Sequence, residues 1–176
     1  MKEFISESDR AAVILGAAKI EALLGQILDR FLLPCTSSTD DLLEGDSPLA
    51  TFSSRIKMCH RVGLIDDHFA KLLNTFRRLR NGFAHEVTNS SLSSGSARDR
   101  VLSLVEPFLD SIQFQKALQL VAKQTSREES DLGVMFRAVL AMFFVHLSGI
   151  QQYLTPLKAV CGIGIVAMSK SEADQS

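Results

Sequence analysis

The sequence has no tryptophan, one tyrosine and only four prolines among 176 residues. Strand-filling and turn-making residues are therefore in short supply, which disfavours a β-sandwich or barrel. Cysteine is scarce too: Cys35, Cys59 and Cys161 are odd in number, widely spaced and never arranged as C-x-x-C. That argues against a disulfide framework and a thiolate zinc site, and it fits a reducing compartment. Neither sign of charge is in excess, with 19 Lys and Arg facing 20 Asp and Glu for a net of −1. The chain as a whole is thus neither a polycationic nucleic-acid binder nor an acidic tail protein. The opening Met1-Lys2-Glu3-Phe4 places an acid where a secretory leader has a basic and then an apolar run. The most apolar stretch, Val134 to Ile150, is interrupted by Arg137 and His146 and is short for a span. A cytoplasmic protein with no membrane segment is expected.

What is present points to helices. Hydrophobic residues make up 46% of the chain and charged residues 22%, with Leu, Ala and Phe prominent. This is globular, all-α composition, and the length suits one domain, residues 1–176. From Ser8 to Leu33, Val13, Ala17, Ile20, Leu24, Ile27 and Phe31 recur at spacings of four and three, one stripe of a helix stopped by Pro34. Ser47 and Pro48 suggest a second start, with Leu49, Phe52, Ile56 and Cys59 on the buried face and Gly63 as the stop. A third helix opens at Asp66 or Asp67 and buries Phe69, Leu72, Phe76, Leu79 and Phe83. A serine-rich loop spans residues 87–97. Short helices over Arg98–Val105 and Phe108–Lys123 follow, with a break at Pro107. Ser126-Arg127-Glu128-Glu129 reads as a capping box that opens a last helix, closed before Pro156. Lys158 to Met168 is apolar without clear period, its default role being to pack on the bundle, and residues 169–176 read as a frayed tail. The fold expected is all-α, one antiparallel bundle of about five to seven helices.

Motifs for several chemistries are missing. There is no phosphate-cradling G-x-x-x-x-G-K-[ST], no dinucleotide fingerprint and no H-E-x-x-H. His60 and His68 lack a carboxylate at ligand spacing, so no metal and no cofactor are expected. His146, set in Phe143-Phe144-Val145, reads as a core or helix-boundary histidine.

One cluster stands out, Arg77-Arg78-Leu79-Arg80-Asn81-Gly82-Phe83-Ala84-His85. Between Ala50 and Glu86, seven cations (Arg55, Lys57, Arg61, Lys71, Arg77, Arg78, Arg80) face three carboxylates, a local charge of +4 that leaves −5 for the rest. A patch of this kind can hold phosphates in a protein that is neutral overall. Lys71, Arg77, Arg78, Asn81 and His85 fall opposite the phenylalanine stripe, while Arg80 lies on the flank, roughly 140° from His85 at 100° per residue. Aiming Arg80 and His85 at one point requires a break near Gly82 or a twofold partner. Together they have the chemistry of metal-free RNA cleavage. Imidazole exchanges protons near neutrality, guanidinium stabilises a pentavalent phosphate, and Asn81 would orient either. Equally, this is what the solvated face of an amphipathic helix, or the braced end of a helix in a dimer, looks like.

Leu42-Leu-Glu-Gly-Asp-Ser-Pro-Leu49, followed by Phe52-Ser-Ser-Arg-Ile-Lys57 and on to Ile65, resembles the mannitol operon repressor (MtlR) family. Arg10-Ala-Ala-Val-Ile-Leu-Gly-Ala17 is also similar to its members. Arg80-Asn81-Gly82-Phe83-Ala84-His85 resembles the R-x4–6-H motif of HEPN domains, helical and usually dimeric, many of them metal-independent endoribonucleases. The first resemblance implies a regulator, the second a catalytic or RNA-contacting role for Arg80 and His85 with Asn81 in support. No helix-turn-helix is evident, and Asp66 and Asp67 would repel a major-groove approach, so sequence-specific DNA binding is not expected. The expected protein is a helical regulator, most simply a homodimer given its mean hydropathy of +0.14, that acts through protein or RNA contacts. The alternative is an endoribonuclease. Lys71, Arg77, Arg78, Arg55, Lys57 and Arg61 are the candidate nucleic-acid contacts.

Overall fold

The helical periodicities become six α-helices in a computed structural model that describes residues 7–85 and 91–159. They are α1 (Asp9–Phe31), α2 (Phe52–Arg61), α3 (Asp67–His85), α4 (Gly95–Val105), α5 (Ile112–Thr125) and α6 (Leu132–Tyr153). A 3-10 turn, Glu106–Phe108, carries Pro107, and no strand occurs among the described residues. Cys161, Gly162, Gly164 and the tail at 169–176 lie outside those residues, as does Glu86.

Local chemistry sets the boundaries. Ser8 accepts the Ala11 N–H to start α1, and Asp66 accepts the Phe69 N–H at 2.7 Å to start α3. Four expected starts move: α4 opens at Gly95, inside the expected serine-rich loop, and α5 opens at Ile112, capped by Ser111, rather than at Phe108. Residues 47–50 close a turn instead of a helix: Leu49 N–H reaches back to Leu42 and Ala50 N–H to Ser47. Helix α2 begins later, where Thr51 and Ser54 cap each other's backbone reciprocally. Ser126 does not open α6; it sits at φ 52° in the left-handed region and ends α5. Asp131 opens α6, accepting the Gly133 and Val134 N–H groups. An ionised carboxylate that takes two donors is a stronger cap than a serine hydroxyl that takes one.

The buried stripes are those the spacing predicts. Val13, Ala17, Ile20, Leu24 and Ile27 on α1, and Phe69, Leu72, Phe76, Leu79 and Phe83 on α3, all face the core. Phe76 is at its centre, meeting Phe52 of α2 at 6.4 Å between ring centroids and Phe136 and Phe143 of α6 at 5.7 and 6.2 Å. His146 is exposed rather than buried, its ring 4.5 Å from that of Phe69.

Helices α1 and α6 run parallel. Asp9 bonds Arg137 at the start of both, Gly16 meets Leu140 midway, and Gln26 meets Gln151 near the far end. Gly16 makes room here for the Leu140 side chain, whose Cδ1 would lie 2.9 Å from a Cβ at this position and would have to shift. Both helices are long and apolar enough to cross a membrane by length and composition, contrary to the expectation for residues 134–150. Arg137 breaks the hydropathy less than expected and is only 3% exposed in the fold, its charge met by Asp9.

Arg55 holds the loop before α2. Its guanidinium donates to the carbonyls of Leu49 (2.8 Å), Glu21 (3.1 Å) and Leu43 (3.2 Å). It lies directly over Gly25, where a Cβ would be 3.0 Å away. Lysine cannot reproduce this three-way fork. Arg55→Lys should therefore cost about 2 kcal/mol in urea unfolding, at about 1 kcal/mol per lost hydrogen bond, and speed proteolytic nicking between residues 36 and 50.

Candidate functional site: the cationic cleft on α3

Helix α3 is continuous from Asp67 to His85, Gly82 included. Arg80 and His85 therefore keep the wide angular separation that an ideal helix imposes, five residues and about 7.5 Å of rise apart. Within one chain they do not face a common point, and His85 is exposed at the last helical residue. Only a second copy would bring a histidine to this arginine.

Arg80 instead meets two other groups. Its Nη1 donates to Asn81 Oδ1 at 3.1 Å, and its Nη2 lies 3.6 Å from Glu21 Oε2 on α1. These side chains, with Arg77 and the first turn of α2 (Thr51, Ser53), line an open cleft of about 320 Å³. Two guanidinium groups against one carboxylate leave the cleft net positive. Arg77 Nε is buried there without a hydrogen-bond partner. A buried donor in that condition costs about 1–3 kcal/mol.

The other candidate cations lie elsewhere. Lys71 is exposed and pairs with Asp67 at 2.6 Å, a contact that holds the Asp67 carboxyl below its ordinary value. Lys57, Arg61 and Arg78 are exposed and do not line the cleft. Arg55 is committed to the loop carbonyls, so it belongs to the scaffold rather than to the cationic face. The structure thus brings Arg77, Arg80 and Asn81 together and adds Glu21. The missed residue was not legible because it comes from α1, 59 positions before Arg80.

Cys59 is buried, which pushes its thiol up to about 12 and keeps it protonated at neutral pH. Among the described residues no cluster of three His, Cys, Asp or Glu could hold a metal ion. Comparison with known proteins finds no matching family model, no matching curated protein and no matching solved structure.

Proposed function

We propose that this is a cytoplasmic regulatory protein that works by contact with single-stranded RNA, seating one nucleotide's phosphate in the α1–α2–α3 cleft, and that it does so as a homodimer. The regulatory part of this reading rests on the resemblance of residues 42–65 to the mannitol operon repressors. The RNA part rests on one observation above the others: Arg77 and Arg80 line one open cleft that holds a single carboxylate, Glu21. Guanidinium groups pair with phosphate oxygens through two donors at once, and an open cleft admits a splayed nucleotide where a duplex cannot enter. The same groups would serve phosphodiester cleavage only if a partner copy supplied His85 across a twofold axis.

Fluorescence anisotropy with a short single-stranded RNA tests the proposal. Arg77→Ala should weaken binding about tenfold, in keeping with loss of a charge-assisted contact, and should lower the salt dependence. Lys71→Ala, outside the cleft and paired with Asp67, should change binding little. Equal affinity for duplex DNA of the same length, or no RNA binding at all, would overturn it. Chelator-resistant cleavage abolished by His85→Ala would instead establish the nuclease reading.

A further inference from the structure

We infer that the groove between α5 and α6 is the seat of the chain's own apolar segment, residues 160–168. The groove has a volume of about 400 Å³ and is walled by Ala117, Leu120, Leu140, Phe144 and Val145. Leu120 and Val145 are 59% and 66% exposed, an apolar rim left open to water. Its floor residues Arg137 and Leu140 are also the ones that meet α1, so the groove opens on the side of α6 where α1 packs.

The chain leaves α6 toward that same side. After Tyr153 it returns to α1, and the Leu157 N–H donates to the Phe31 carbonyl at 2.8 Å. From there Val160-Cys-Gly-Ile-Gly-Ile-Val-Ala-Met168 supplies nine residues without a charge. Phe144 lies ten residues before Leu154, about 15 Å along the helix, whereas nine extended residues reach about 30 Å. Charge agrees as well. Helix α5 carries Lys116 and Lys123 and no acid, while Glu172 and Asp174 outnumber Lys170 just beyond the apolar segment. Seating 160–168 in the groove brings those acids toward the lysines.

The full-length protein tests this with Ile165→Asp and Leu120→Asp. Each should raise fluorescence of the hydrophobic-surface dye ANS about threefold and speed deuterium uptake in α5, and the double variant should add nothing further. Ile165→Asp combined with Leu120→Lys should restore dye exclusion, a rescue that general loss of folding would not allow. Unchanged uptake in α5 with Ile165→Asp would overturn the inference. So would light scattering in which Leu120→Asp splits a dimer while Ile165→Asp leaves it whole, because a second copy would then be the occupant. RNA binding by these variants is expected to be unaltered, so this result stands or falls apart from the cleft.

Discussion

Arg137→Leu should lower the melting temperature by about 10 °C, because three hydrogen bonds from a buried guanidinium are worth about 3 kcal/mol and each kcal/mol moves a domain of this size a few degrees. Arg137 Nη1 donates to Asp9 Oδ1 and to the Gly133 carbonyl, both at 2.8 Å, and Nη2 to the Glu7 carbonyl. Losing it leaves the Asp9 carboxylate with Arg127 alone and two carbonyls without that donor. The double variant Asp9→Leu with Arg137→Leu should be less damaged than Arg137→Leu, since Asp9 then no longer carries a half-buried charge that Arg127 alone must meet. A pH series gives a second check. Burial raises the Asp9 pKa, but hydrogen bonds from Arg127 and Arg137 outweigh it and hold the carboxyl below its ordinary 3.8. A depressed acid contributes stability that is present above the unfolded value and is lost as pH falls through the folded one. Urea midpoints should therefore drop on acidification below about pH 4, and Asp9→Asn should flatten that drop.

Phe76→Ala should cost about 3–5 kcal/mol, the expected range for an aromatic ring removed from a packed core. The ring is fully buried and touches three others from α2 and α6, which cannot close over the gap without moving two helices. Phe76→Leu, which keeps most of the volume, should cost clearly less. Chemical denaturation read by circular dichroism distinguishes the two. Equal losses would mean that ring geometry rather than filled volume holds the three helices together.

The faces of α1 and α3 were legible because their periods run for five or more apolar positions, enough to fix a stripe without tertiary information. Helix starts were less so. Ser47-Pro48 and Ser126–Glu129 both have good local grammar, yet a reciprocal Thr51–Ser54 box and a carboxylate at Asp131 bind more orphan donors nearby. Arginine roles were the least legible of all. Arg55 and Arg137 look alike in sequence to Arg77, but the first two meet acceptors from segments far along the chain: Arg55 reaches Glu21, and Arg137 reaches Asp9, 128 residues away. Arg77 meets none through its Nε. Partners at that separation leave no local periodicity to read, which is also why Glu21 was missing from the anticipated site.

The parallel pairing of α1 with α6 has a consequence for how the molecule is made. Helices that pair with their immediate successors can assemble as they emerge from a ribosome, but the part of α1 that packs on α6 must wait for that helix, while α2 and α3 can cover the rest earlier. Closure across nearly the whole polypeptide is entropically slow compared with hairpin formation. A stalled or truncated translation product lacking α6 would therefore leave the Gly16 side of its first helix uncovered, even with α2 and α3 in place, and become a substrate for chaperones and proteases rather than a partly working protein.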